Sequence, residues 1–133
     1  MIKNIFPAIC SDNVAATRDF YVELFGFQVV FDSGWYAHLD ADGTQLGIVQ
    51  RDHPTVPSTL RVLPAGVFVS IEVDDVDAVY SKLNGAPVHL SLRDEDFGQR
   101  HFITEDPSGT PVDVIKPIKP SPEFAAYQVS AAH

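Results

Sequence analysis

The chain repeats itself. Asp40-Ala41-Asp42-Gly43-Thr44-Gln45-Leu46-Gly47-Ile48-Val49-Gln50 lies over Asp106-Pro107-Ser108-Gly109-Thr110-Pro111-Val112-Asp113-Val114-Ile115-Lys116 without a gap, at a shift of 66 residues. Each copy reads as a turn feeding a strand. In the second copy Pro107 fixes φ and Gly109 supplies positive φ. The flanking elements repeat as well, in the order strand, helix, three strands, linker, strand, helix, three strands. A βαβββ unit of this size makes a small curled sheet with a helix on its outer face and the other face open. Two such units side by side enclose a cup. Their edge strands need partners, so the units must pair within a chain or between chains.

The elements follow from periodicity. Asn4 to Cys10 reads as a strand, and Ser11, Asp12 and Asn13 are good helix caps. A helix from Asn13 to Phe25 carries Ala16, Phe20 and Leu24 every four residues, flanked by Val14, Tyr21 and Phe25, and Gly26 stops it. Strands are expected over Phe27–Asp32, Trp35–Asp40 and Thr44–Gln50. Arg51 to Ala65, with three prolines, is a linker long enough to cover a site. Gly66 to Val73 is a strand, capped by Asp74 or Asp75 into a helix with the stripe Val76, Val79, Tyr80 and Leu83, ending near Asn84-Gly85. Pro87 to Arg93 is a strand, Asp94-Glu95-Asp96 a polar connection, and Arg100–Glu105 and Thr110–Lys116 form a hairpin. Glu123 to Val129 reads as a short helix, and Ser130 to His133 is expected to fray. The fold class is therefore α+β, one domain (1–133) of two βαβββ repeats at about 4–50 and 66–116. The linker is 51–65 and the C-terminal tail 117–133.

Bulk properties narrow the function. The 133 residues carry 9 Lys+Arg against 18 Asp+Glu, a formal charge of −9, which argues against nucleic acid and anionic membranes as partners. No apolar run approaches the ~20 residues needed to cross a bilayer. The N-terminus enters a strand pattern with no signal-peptide core, so a cytoplasmic protein is expected. The single cysteine, Cys10, has no internal disulfide partner and sits in an apolar pattern, where a thiol acts as a small hydrophobe.

Asp113 is the residue that most needs an explanation. It sits mid-strand with Pro111 and Ile115 on its own face and Val112 and Val114 on the other. A carboxylate there either contacts a ligand or is paired with a neighbour such as Arg100 or Arg93. His38 and His101 each alternate with apolar residues, as structural strand histidines do. They are also the candidate general bases. Trp35, or Tyr36 on the opposite face, supplies an aromatic ring. No phosphate loop, zinc spacing or Ser/His/Asp arrangement occurs.

The element order, together with Asp19-Phe20-Tyr21-Val22-Glu23-Leu24-Phe25-Gly26-Phe27, Val73-Asp74-Asp75-Val76-Asp77, Gly98-Gln99-Arg100 and Asp106-Pro107-Ser108-Gly109, resembles the vicinal oxygen chelate superfamily. That family includes glyoxalase I, extradiol dioxygenases, fosfomycin-modifying enzymes and bleomycin-resistance proteins. The resemblance implies the glyoxalase/bleomycin-resistance fold, a curled mixed-sheet cup with helices outside, and a homodimer. Metal-dependent members place one ligand on each of four cup-facing strands, typically two His and two Glu. Carried over, those positions are Phe6, Gly47, Phe68 and Asp113. Only Asp113 has a metal-ligating group, which departs from the metalloenzyme pattern at three of four positions.

The resemblance therefore implies a protein close to the metal-free bleomycin-resistance members. It would need no cofactor, and its apolar cup would sequester an aromatic or amphipathic, antibiotic-like small molecule. The expected ligand contacts are Phe6, Trp35, His38, Gly47, Phe68, His101 and Asp113. The alternative is an enzyme (lyase, isomerase or oxygenase) using a rearranged metal set such as His38, Glu72, His101 and Asp113, or metal-free acid–base chemistry at His38, His101 or Asp113. A third reading is a partner-binding module whose cup is filled by its own side chains.

Overall fold

A computed structural model describes residues 1–129; the expected fraying of Ser130–His133 falls outside them. The chain divides into two compact units. The first holds Met1–Phe68 with Glu105–Pro111, and the second holds Val69–Thr104 with the described residues from Val112 onward. The architecture is α+β, two four-stranded mixed sheets with few helices.

The first sheet is made of β1 (Ala8–Ser11), β2 (Gln28–Asp32), β3 (Tyr36–Ala41) and β4 (Thr44–Gln50), in the order β1-β4-β3-β2. β1 runs parallel to β4, and the other pairs are antiparallel. The turn between β3 and β4 has Asp42 at φ 51° and Gly43 at φ 88°. Two positive φ values in a two-residue loop match the twist of the strands it joins. Helix α1 (Val14–Phe25) starts at Asn13, whose side chain accepts from the Ala16 N–H at 3.0 Å, and ends at Gly26 in the left-handed region.

Its buried line is Val14, Thr17 and Tyr21, while Phe20 and Leu24 are only half-buried. The face is thus rotated from the one the apolar spacing suggests. Thr17 can sit in the core because its hydroxyl meets that of buried Ser11 at 2.9 Å, which removes the cost of an unpaired polar group. Beneath α1, Ile9, Ala37, Leu39, Leu46 and Ile48 form the buried side of the sheet.

The first unit also contains the turn at Asp106–Gly109. Asp106 is buried, and its carboxylate accepts from Tyr21 Oη at 2.6 Å, from Ser108 Oγ and from the N–H groups of Ser108 and Thr110. Each of its oxygens has a donor, which removes the cost of burying an unpaired polar group. The motif that looked like a simple turn is a structural staple.

The second sheet repeats the plan with β5 (Val69–Glu72), β6 (Val88–Glu95), β7 (Gln99–Glu105) and β8 (Pro111–Pro117), ordered β5-β8-β7-β6, with β5 parallel to β8. Helix α2 (Val76–Ser81) is capped by Asp75, which accepts from the Ala78 N–H at 3.0 Å. It stops earlier than the apolar stripe implies. Lys82 and Leu83 donate to carbonyls three residues back, a tightened last turn. Val76 is fully buried, and Tyr80 lies 4.9 Å from Phe102.

β6 continues through Asp94 and Glu95, which were expected to form a connection. They pair with Arg100 and Gln99, so the polar residues lie in the ladder and the turn is only three residues. After β8 the chain bonds back to that turn through Ile118 N–H to Gly98 O and Ser121 N–H to Asp96 O. Helix α3 (Pro122–Ala125) follows, shorter than the stretch to Val129 read from sequence.

Candidate ligand site

Strand register assigns the side chains to faces. In the first sheet His38 is paired with both Gly47 and Phe31, Ala8 with Gly47, and Tyr36 with Val49. These residues lie on the face opposite the buried one. Four rings follow one another across it. Phe6 meets His38 edge-on at 4.6 Å, His38 lies 5.9 Å from Tyr36, and Tyr36 lies 6.2 Å from Phe31. Phe6 and Phe31 are 40% and 56% exposed.

Gly47 lies under the centre of this row. A Cβ there would come within 2.5 Å of Tyr36 Oη, so the missing side chain is what lets the phenol lie over the strand. Tyr36 Oη meets His38 Nδ1 at 2.7 Å, and His38 Nε2 meets Gln45 Oε1 at 2.8 Å. That oxygen also accepts from Asn4 Nδ2 at 2.8 Å. Partial burial raises the Tyr36 pKa, which keeps the phenol protonated.

Trp35 is engaged elsewhere. Its ring stacks on His53 at 3.7 Å and 5°, and its centroid is 6.2 Å from Tyr36. Phe68, immediately before β5, is exposed.

The second sheet presents different chemistry. Ser70 is opposite Asp113, and Arg93 opposite His101. His101 is 5% exposed, with Nδ1 2.7 Å from Asp113 Oδ1 and Nε2 2.8 Å from Glu95 Oε2. A neutral imidazole has one N–H, so two carboxylate contacts are satisfied together only by the imidazolium. Burial pulls its pKa down, but the hydrogen bonds to Glu95 and Asp113 and their charges outweigh that, and the pKa is raised. Glu95 shifts the other way. Its bond to His101 lowers its pKa, and Arg93 adds to the effect. Phe97 approaches His101 edge-on at 6.1 Å.

Asp113 is therefore paired, with His101 rather than with an arginine. Arg100 instead bonds Asp77 and Asp94, and Arg93 bonds Glu95.

Of the residues expected from sequence, Phe6, His38 and Gly47 are brought together in the first unit, and His101 and Asp113 in the second. Phe31, Gln45, Asn4 and Glu95 were missed. Phe31 could not be assigned to the open face without the bulge between Val29 and Phe31, which shifts the register. Glu95 was hidden by its acidic neighbours.

The register also bears on the positions carried over from the metal-dependent pattern. Ala8 faces Gly47 as Ser70 faces Asp113, and Phe6 and Phe68 each stand two residues before the first member. The four positions are thus equivalent in pairs. A divalent cation does not fit them. Phe6, Phe68 and Gly47 offer no ligating side-chain atom, the space over Gly47 is filled by the Tyr36 phenol, and one Asp113 oxygen is held by His101. Among the described residues no group of three or more His, Cys, Asp or Glu could hold a metal ion.

A four-stranded mixed sheet of this order, built twice with a helix between the first and second strands of each copy, defines a class. The sequence model of the Glyoxalase/Bleomycin resistance protein/Dioxygenase superfamily matches residues 5–114, and the chain belongs to that superfamily. A search of curated proteins found no match. Similar solved structures include a glyoxalase/bleomycin resistance protein/dioxygenase family enzyme from Burkholderia phytofirmans PsJN, with TM-score 0.74 and 16% identity over 85% of this chain and 97% of that one. TioX from Micromonospora sp. ML1 has TM-score 0.68 and 20% identity over 88% of this chain and 100% of that one. Lactoylglutathione lyase from Agrobacterium tumefaciens has TM-score 0.66 and 19% identity over 86% and 94%. These are likenesses of fold, and the fold hosts several chemistries. No helix among the described residues is long and apolar enough to cross a membrane.

Proposed function

We propose that the protein is a metal-independent binder that sequesters a flat aromatic or amphipathic small molecule, in the manner of bleomycin-resistance proteins. The observation that carries this reading is the row Phe6, His38, Tyr36 and Phe31 across the open face of the first sheet. Ring faces and edges at 4.6–6.2 Å spacing suit stacking against a planar ligand. Phe6 and Phe31, exposed at its two ends, are the apolar area such a ligand would cover. The protein would act as a cytoplasmic homodimer. Strand β2 lies at the edge of its sheet, paired with β3 alone among the described strands, and its exposed Val29 and Val30 support a second copy. Light scattering checks that state.

A thermal-shift screen of metal-stripped protein tests the reading, with divalent cations and planar aromatic compounds as the panel. A ligand of the native state raises stability by RT ln(1 + [L]/Kd). An aromatic compound should raise Tm and metals should not. Phe31→Ala should weaken the aromatic ligand about tenfold, the size expected for losing one stacked ring. A shift with Fe, Mn, Ni or Zn and none with aromatics would overturn the proposal.

One observation favours an enzyme instead: the imidazolium of His101 between two carboxylates could deliver a proton to a substrate. Turnover lost on His101→Gln while aromatic binding is kept would favour that reading.

A further inference from the structure

The hydrogen bonds under the aromatic row have a direction, and it selects among ligands. Asn4 Nδ2 donates to Gln45 Oε1, so the atom that Gln45 turns toward His38 is an acceptor. His38 Nε2, 2.8 Å from it, must then carry the ring proton. One ring proton satisfies every contact the imidazole makes only if Nδ1 is a bare lone pair. Tyr36 Oη, 2.7 Å from Nδ1, must therefore be the donor. The phenol has a single hydrogen, and it is spent on His38. What Tyr36 Oη has left is acceptor capacity alone, at the centre of the row, in the space that Gly47 leaves free.

We infer that Tyr36 is the specificity-determining residue of this site, and that it selects aromatic ligands bearing an O–H or N–H donor over those bearing only acceptors. The inference rests on the proposed aromatic site and adds the polarity of its anchor. A ligand carbonyl or ether oxygen brought to Tyr36 would meet lone pair to lone pair and lose the water it displaced. A phenol, indole or amide N–H would replace that water bond for bond. Rotating the Tyr36 hydrogen to greet an acceptor would strip His38 Nδ1 of its partner, so the network resists reversal.

The probes are 2-naphthol and 2-methoxynaphthalene, which share a ring system and differ in the donor. Fluorescence titration near neutral pH should show 2-naphthol bound about tenfold tighter by the wild-type protein, one hydrogen bond's worth. Tyr36→Phe should bind both probes alike, at the wild-type strength for 2-methoxynaphthalene. The ring and its packing remain in this variant, and its thermal melt checks the fold. A preference that survives Tyr36→Phe, or equal binding of both probes by the wild type, would overturn the inference while leaving the aromatic site standing. Failure of both probes to bind would sink the two together. The nitrogen-15 shifts of His38 give an independent reading: a proton on Nε2 is expected, and a proton on Nδ1 would overturn the polarity whatever binds.

Discussion

In the first sheet the residue opposite Ala8 is Gly47, and in the second the residue opposite Ser70 is Asp113. From that one difference two unlike histidine sites grow on the same scaffold. Over Gly47 there is room, a tyrosine lies in it, and His38 is bonded by neutral groups that need a single ring proton. At Asp113 the space holds a carboxylate, a second carboxylate arrives from β6, and His101 needs two protons to satisfy both. Around His38 the site is aromatic and part-exposed; around His101 it is charged and the imidazole is buried. The strand order is the same in both sheets; what differs at the equivalent position is a glycine in one and an aspartate in the other. On the proposed function, ligand binding would fall to the first repeat and the His101 pairs of the second would hold structure, and either half can be broken.

Asp113→Ala should do the most damage. It leaves a buried imidazole nitrogen facing nothing and the remaining carboxylate without its balanced partner. An unsatisfied buried donor costs about 1–3 kcal/mol, with charged groups at the upper end. Chemical denaturation should show a loss of about 2–3 kcal/mol, while the affinity of the first repeat for an aromatic probe stays within about twofold. If stability is unchanged and ligand affinity collapses, the division of labour is wrong and Asp113 is a ligand anchor.

The sequence held most of the fold and half of this comparison. The repeat, the caps at Asn13 and Asp75, and the stop at Gly26 are local signals, and local signals survive into structure. Gly47 and Asp113 could be aligned because the strands that carry them align. What could not be read was anything set by a neighbouring strand. Tyr36 was left between two faces with Trp35, and only the pairing of Tyr36 with Val49 settles it. Glu95 looked like a loop acid because strand length depends on a partner, Gln99, that sequence does not display. Thr17 was passed over because the hydroxyl that satisfies it, on Ser11, belongs to another element. The raised pKa of His101 depends on Glu95 as well as Asp113, so missing one partner hid the pairing.

A second test turns on pH, through the bond between His101 and Glu95. The pKa of His101 is raised in the folded protein above its ordinary 6.5. The stability this gives is complete below 6.5 and disappears as pH climbs through the raised value. The pKa of Glu95 is lowered below its ordinary 4.5. Its contribution is complete above 4.5 and disappears as pH falls through the lowered value. Between those two ordinary values both contributions are whole. The difference in Tm between the wild type and His101→Gln should therefore be greatest from about pH 4.5 to 6.5 and shrink on either side. A difference that does not change with pH would mean that His101 is held by packing and not by its charge.

Gly47→Ala should have the smallest effect on stability and a clear effect on binding. The backbone at Gly47 is ordinary strand, and Ala there would restrict the unfolded chain, a gain of about 0.4–1 kcal/mol where it fits. It does not fit freely, because the new methyl would reach Tyr36 Oη within 2.5 Å. The tip of a partly exposed tyrosine can swing away, so the ring yields and the strand does not. That breaks the bond from Tyr36 to His38, a loss of about 0.5–1.5 kcal/mol. Gain and loss nearly cancel, and the melting temperature should move by only a few degrees. The row of rings is nonetheless interrupted at its centre, and an aromatic probe should bind several-fold more weakly. Larger residues sharpen the test: Gly47→Val should lower affinity further with each methyl added. If the alanine variant binds as the wild type does, the glycine serves the strand alone, and the asymmetry between the repeats begins at Asp113.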